Sequence, residues 1–178
     1  MVFYHKPSPS LRNTRIEVLP EAVGRLQNLE VLDAFNTGFL SLPKDVAKLK
    51  KLRYLYATKK IIEGPFLRYG GLKVTRGAIK NLTRLHALQK VKASLETLSE
   101  VASLTDLRTF AVDSVTSEHS LSLRSAVQSM SNLVSLSITT SNENELLPLE
   151  ELCLPETLYK LVLFLGTCLA RVSLRVSL

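Results

Sequence analysis

The chain has no tryptophan, two cysteines, and 11 aromatic residues (5 Tyr, 6 Phe) in a total of 178. Two cysteines, Cys153 and Cys168, make no disulfide framework. Neither stands at zinc-ligand spacing from another Cys or His, and His5, His86 and His119 are scattered, so no metal site is expected. There is no G-x-x-x-x-G-K-[ST] phosphate loop, no G-x-G-x-x-G cradle and no G-x-S-x-G elbow. Glu143, Glu145, Glu150, Glu151 and Glu156 cluster in sequence, as a solvated edge does more often than a catalytic pair. No catalytic residue, no cofactor and no enzymatic activity are therefore expected.

Long hydrophobic runs are missing too. Leu161–Ala170 is the longest, and its ten residues fall short of the ~20 that span a bilayer. The opening MVFYHKPSPSLRN has no apolar stretch of the kind a secretory signal needs. A soluble cytoplasmic protein without a membrane span is expected, and there the sequon Asn81-Leu82-Thr83 carries little meaning.

What the chain does have is leucine at regular intervals. Asn13, Thr14, Ile16, Leu19, Pro20, Val23, Leu26 and Leu29 return 23 residues later as Asn36, Thr37, Phe39, Leu42, Pro43, Val46, Leu49 and Leu52. Leu29, Leu52, Leu85, Leu107, Leu133 and Leu158 then act as six strand starts. Three residues after each stand Leu32, Leu55, Leu88, Phe110, Leu136 and Leu161; six before stand Val23, Val46, Ile79, Val101, Val127 and Leu152. Three before stand Leu26, Leu49, Leu82, Leu104 and Met130, with Pro155 as the one break, for which Leu154 can substitute. A fixed period near 23 with LxxL spacing marks a leucine-rich solenoid.

The expected architecture is an α/β solenoid, a leucine-rich-repeat horseshoe. LxxLxL makes a short parallel strand on the concave face, because alternate strand residues point inward. VxxL places two apolar groups on one face of a helical turn on the convex side. About six repeats cover 14–165, between a non-repeat segment 1–13 and a divergent tail 166–178. Met1–Asn13 has Lys6 and Pro9 where a strand should carry leucines, and Arg171–Leu178 alternates as an edge strand does. An insertion near 59–77 carries the turn signals Gly64-Pro65 and Gly70-Gly71 and reads as a surface excursion. Thr116–Ser120 and Thr139–Glu145 read as short polar connections. Lys90 falls where its counterparts point inward, so a one-residue bulge with Val91 is expected to turn it out.

Charge is unevenly spread. Residues 1–92 hold 18 Lys/Arg against 6 Asp/Glu, and residues 93–178 hold 5 against 10. The densest basic stretch is Lys44, Lys48, Lys50, Lys51, Arg53, Lys59 and Lys60, which reads as solvent-facing positions. An acidic protein partner suits it better than nucleic acid does.

The strand register names the outward concave positions: Val31, Asp33, Phe35, Tyr54, Tyr56, Thr58, Ala87, Gln89, Thr109, Ala111, Ser135, Ser137, Lys160 and Val162. Of these, Asp33, Phe35, Tyr54, Tyr56, Thr58, Gln89, Thr109, Ser135 and Ser137 are the expected partner-binding residues. Phe35, Tyr54 and Tyr56 lead, because aromatics anchor interfaces. Cross-strand packing is the competing role for the tyrosines.

TRIEVLPEAVGRLQNLEVLDAFNTGFLSLPKDVAKLKKLRYLYA (Thr14–Ala57), LTDLRTFAV (Leu104–Val112), AVQSMSNLVSLSI (Ala126–Ile138) and LPLEELCLPETLYKLVL (Leu147–Leu163) resemble the leucine-rich-repeat region of plant disease-resistance receptors. These are the coiled-coil class of intracellular nucleotide-binding, leucine-rich-repeat proteins. The resemblance implies a defence-response sensing module that binds a pathogen effector, a guarded host protein or a nucleotide-switch domain. The coiled-coil and nucleotide-switch domains of that class have no counterpart within these 178 residues, so only part of such a receptor is implied. Two other readings stand beside it: a substrate adaptor for a ubiquitin ligase, and a truncated remnant without a partner of its own.

Overall fold

Each coil carries three apolar residues spaced by three, and the same residues close successive turns of backbone. In the second coil, Val46 N–H donates to the Pro43 carbonyl (3.2 Å), Leu49 to Val46 (3.0 Å) and Leu52 to Leu49 (2.9 Å). The series recurs at Val23, Leu26 and Leu29, at Leu82 and Leu85, at Leu104 and Leu107, and at Met130 and Leu133. An i→i−3 bond turns the chain once in three residues, so apolar side chains three apart eclipse and face one way. The repeated Leu-Pro supports this: Pro20 and Pro43, at φ −66° and −72°, sit just ahead of 3-10 helices over Glu21–Arg25 and Lys44–Lys48.

The computed structural model describes residues 10–63, 66–145, 152–166 and 171–175. The strands are β1 (Val31–Thr37), β2 (Ser41–Leu42), β3 (Tyr54–Glu63), β4 (Phe66–Gly71), β5 (Lys73–Val74), β6 (Ala87–Lys92), β7 (Thr109–Val115), β8 (Ser135–Thr140), β9 (Lys160–Phe164) and β10 (Arg171–Arg175). One open sheet runs β1-β3-β6-β7-β8-β9-β10, with β4 paired to β3, while β2 and β5 form a separate two-stranded parallel pair. The β1-to-β9 ladder is parallel throughout, and β10 closes against β9 antiparallel.

Pairing follows the leucine register. Val31, Tyr54, Ala87, Thr109, Ser135 and Lys160 lie in one row, and Leu32, Leu55, Leu88, Phe110, Leu136 and Leu161 in the next. The second row is buried in a single core with Val23, Val46, Ile79, Val101 and Val127. No coil encloses a core alone, so stacking supplies it. Each leucine so buried contributes on the order of 1.5–3 kcal/mol before backbone ordering is counted. This is a repeat solenoid built on a parallel sheet.

On the coil side facing away from the sheet, the first two coils carry 3-10 helices and the fourth and fifth carry α-helices. Helix α1 (Leu95–Val101) is capped by Ser94, whose Oγ accepts the Thr97 N–H at 3.1 Å. Helix α2 (Ser120–Ser129) follows a 3-10 turn closed by a Thr116–His119 capping box. The third coil has turns only, interrupted by Gly77 at φ +84°. Glu100 of α1 compensates: its buried carboxylate accepts the N–H groups of Gly77, Ile79 (3.2 Å) and Lys80 (3.2 Å), satisfying donors that the missing helix leaves open.

Several expectations change. Of the segment 1–13, only 10–13 are among the described residues, and there Ser10 bridges Asp33 while Leu11 and Asn13 donate to the Asp33 and Phe35 carbonyls at 3.0 Å. Leu26, expected in the core, is 47% exposed on the first described coil. The insertion is a β3–β4 hairpin rather than a loop, and Gly70-Gly71 lie in its strand rather than in a turn. A Cβ on Gly71 would stand 2.7 Å from the Lys92 nitrogen and the Val91 carbonyl carbon, so close approach of two backbones explains that glycine. Thr139 and Thr140, read as connection, are buried in β8. The bulge at Lys90 is present: its φ is +60°, the β6–β7 register shifts between Leu88 and Val91, and Val91 takes the inward place. The edge strand is present at β10. His5, Lys6, Pro9, Gly64-Pro65, Glu150, Glu151, Cys168 and the last three positions of the alternating tail lie outside the described residues.

Candidate functional site

The outward face of the sheet divides into two zones. Over β1 and β3 it is aromatic. Tyr54 and Tyr56 alternate along β3 and present half-buried rings 6.5 Å apart, nearly parallel at 14°. Tyr54 meets the His86 imidazole edge-on at 6.1 Å, and the Arg53 guanidinium lies 5.9 Å from the Tyr54 ring. On β1, Asp33 pairs with Arg12 (3.3 Å) and takes the Phe35 N–H on Oδ1 at 3.0 Å. Phe35 meets both the Arg12 guanidinium (4.6 Å) and, at a tilt of 36°, Tyr69 of β4 (4.9 Å between ring centroids). Burial first, then the Tyr54 and Asp33 charges, hold the Tyr56 phenol above its usual range, with Arg12 opposing. Tyr56 is thus a neutral donor and acceptor at physiological pH, suited to a partner's polar group.

Over β6 to β9 the face is small-featured. Thr109 and Ser135 are paired neighbours, Ser137 faces Ala111 and Val162 in the ladder, and Gln89 lies beside Tyr56. Ala87, Ala111 and Val162, expected outward, are nearly covered by their neighbours. Eight of the nine expected binding residues are thus half-buried on one face, with Asp33, Phe35, Tyr54, Tyr56 and Gln89 together and Thr109, Ser135 and Ser137 further along.

Thr58 is the exception, at 3% exposure. Strand β1 bulges at Asn36 (φ +57°), which shifts the register between Ala34 and Thr37, and Thr58 Oγ1 turns in to accept the Asn36 N–H at 3.0 Å. It belongs to the scaffold rather than to the face.

Arg12, Tyr69 and His86 are additions that repeat spacing did not name. Arg12 and Tyr69 come from outside the repeat register, one ahead of the first strand and one on the hairpin. His86 had a signal: it stands one residue ahead of the outward row, in the same column as Arg53 and Arg108. Burial, then Arg53 and Arg108, push its imidazole below the ordinary histidine range, against Asp106. Arg53 Nη2 lies 3.3 Å from its Nδ1. Of the basic stretch, Lys44, Lys48, Lys50, Lys51 and Arg53 are solvent-facing as read; Lys48 pairs with Asp45 and Lys51 donates to Asn28 (2.7 Å).

Among the described residues, no group of three or more His, Cys, Asp or Glu converges as a metal site requires, and no helix is long and apolar enough to cross a membrane. The arrangement offers side chains for contact over an extended sheet face.

A family model described as a leucine-rich repeat region matches residues 10–176. The chain belongs to that family, whose repeats commonly serve as protein-interaction modules. No curated protein matches the chain.

Proposed function

We propose that this chain is a non-enzymatic binding scaffold, part of the sensing module of a plant disease-resistance receptor that acts in the cytoplasm. Its sheet curves as a horseshoe, and the outward face is the concave surface that receives a protein: a pathogen effector, a guarded host protein or a nucleotide-switch domain. The observation that carries the reading is a pair of ring groups on neighbouring strands, Phe35 with Tyr69 and Tyr54 with Tyr56 and His86. Large, ordered aromatic rings contribute contact area at little entropic cost, and interface hot spots are rich in them. The resemblance of Thr14–Ala57 to the receptor class supplies the biological context.

The test is interferometry of the purified chain against panels of pathogen effectors and of isolated nucleotide-switch domains. At least one should bind, and Tyr54→Ala with Tyr56→Ala should weaken it by about tenfold or more while the thermal transition stays in place. Binding unaffected by the pair would remove the aromatic block from the interface. Loss of folding would assign the rings to packing.

A further inference from the structure

The leading edge of the sheet carries a file of side chains that repeats once per strand. The Glu30 carbonyl accepts from Arg53 (2.8 Å) and Tyr54 (3.0 Å); the Arg53 carbonyl from His86 (2.8 Å) and Ala87 (3.1 Å); the His86 carbonyl from Arg108 (2.9 Å) and Thr109 (3.0 Å). Glu30, Arg53, His86 and Arg108 are therefore stacked at the strand spacing of about 4.8 Å, one residue ahead of the row Val31, Tyr54, Ala87 and Thr109. Arg84 and Lys51 add to the file, lining a shallow recess with Glu30 and Arg53. Neither ion pair formed among the described residues engages Arg53, Arg84 or Arg108. The carboxylates nearby are Glu30 in the recess and Asp106 beside His86, fewer than the cations they face. His86 sits between two guanidinium groups, uncharged, and adds an acceptor rather than a positive charge.

We propose that this edge is the docking strip for an acidic segment of a partner protein, with carboxylates on Arg53, Arg84 and Arg108 and an adjoining apolar residue on Tyr54 and Tyr56. The inference rests on the outward face being the binding surface, and it deepens that reading by naming the partner's chemistry. Guanidinium forks match carboxylates in a bidentate manner. Cations spread along the edge, at Arg53, Arg84 and Arg108, suit an extended run of charges better than a single multivalent anion. The file also merges directly with the aromatic block, since Arg53 lies against Tyr54 and Tyr54 against His86. A segment that is acidic along one side and apolar at one point satisfies both.

The experiment is selection of random twelve-residue peptides displayed on phage against the whole chain, followed by anisotropy titrations of the recovered sequences. Expected are Asp/Glu-rich peptides with an aromatic or aliphatic residue, binding that falls with salt, and a loss of about tenfold or more in Arg53→Gln/Arg84→Gln/Arg108→Gln. Single Arg84→Gln is the fallback where the triple variant loses its circular dichroism spectrum. Recovery of no peptide, of peptides without acidic enrichment, or of peptides indifferent to these variants overturns the inference. So does tighter binding of phosphoserine peptides or of oligothymidine of equal charge, or salt-sensitive self-association of the chain alone in sedimentation. Acidic peptides lost with the arginines but kept in Tyr54→Ala/Tyr56→Ala would uphold the strip and remove the aromatic face; the converse would do the opposite.

Discussion

A left-handed backbone costs a residue with a Cβ roughly 1–2 kcal/mol, yet Asn13, Asn36, Lys90 and Ser114 all stand at φ between 57° and 60°. The repeated Asn-Thr explains two of them. Asn tolerates this conformation best after glycine. Asn36 Nδ2 donates to Asn13 Oδ1 at 2.8 Å, and Thr14 and Thr37 return hydroxyl bonds to the Leu11 and Ala34 carbonyls three residues back. Local hydrogen bonding thus holds each turn out of the strand. His86 shows what a neighbouring file does to one group. Its folded pKa lies below 6.5, so the unfolded chain binds the proton more readily. Stability from this group is complete above pH 6.5 and is lost as pH falls from there through the folded value. An NMR titration should place the His86 midpoint below that of free histidine. Arg53→Met should raise it only part of the way back, because burial is the larger cause. A midpoint at or above 6.5 would mean that neither the burial of His86 nor its Arg53 contact is held in solution.

At the scale of elements, the inserted hairpin is attached by few bonds. Gly71 N–H donates to the buried Asp113 carboxylate at 2.9 Å, Leu72 N–H donates to the Lys90 carbonyl (3.0 Å), Lys92 N–H donates to the Leu72 carbonyl (2.8 Å), and Lys90 Nζ reaches the Tyr69 carbonyl at 3.3 Å. Asp113→Ala leaves the Gly71 donor unpaired at a cost of about 1–3 kcal/mol. Hydrogen exchange should then speed first at Phe66–Leu72 while β8 keeps its protection. Equal loss in β8 would show that the hairpin and ladder open as one unit. The stacked coils were legible in the sequence because each leucine column is a local pattern repeated, as at Leu29, Leu52 and Leu85. The hairpin was not. Gly71 answers to contacts with β6 and β7 some twenty to forty residues on, and it looks like any turn glycine until Lys92 is placed beside it. Thr58 was misplaced for the same reason: the bulge that buries it belongs to Asn36 on the neighbouring strand.

For the whole molecule, stability is a sum over neighbouring coils, and one column lets position along the stack be compared. Leu82, buried among adjoining coils, and Leu26, half open on the first described coil, occupy equivalent places. In urea denaturation Leu82→Ala should cost about 2–5 kcal/mol, and Leu26→Ala under about 1 kcal/mol. Equal losses would mean that the coils do not share a graded, neighbour-dependent stack. The candidate face follows the same logic of the whole, since its pairs lie on adjacent coils, as Tyr56 and Gln89 do, and no coil could present them unaided. One feature of the ladder reaches further. Strand starts Leu52 and Leu85 stand 33 residues apart where the first two stand 23 apart, and still Tyr54 pairs with Ala87 as Val31 pairs with Tyr54. The ladder therefore absorbs this insertion without a change of register in the coils on either side. The spine tolerates a side branch of its own strand pairing, β3 with β4, without losing the common pitch of its coils.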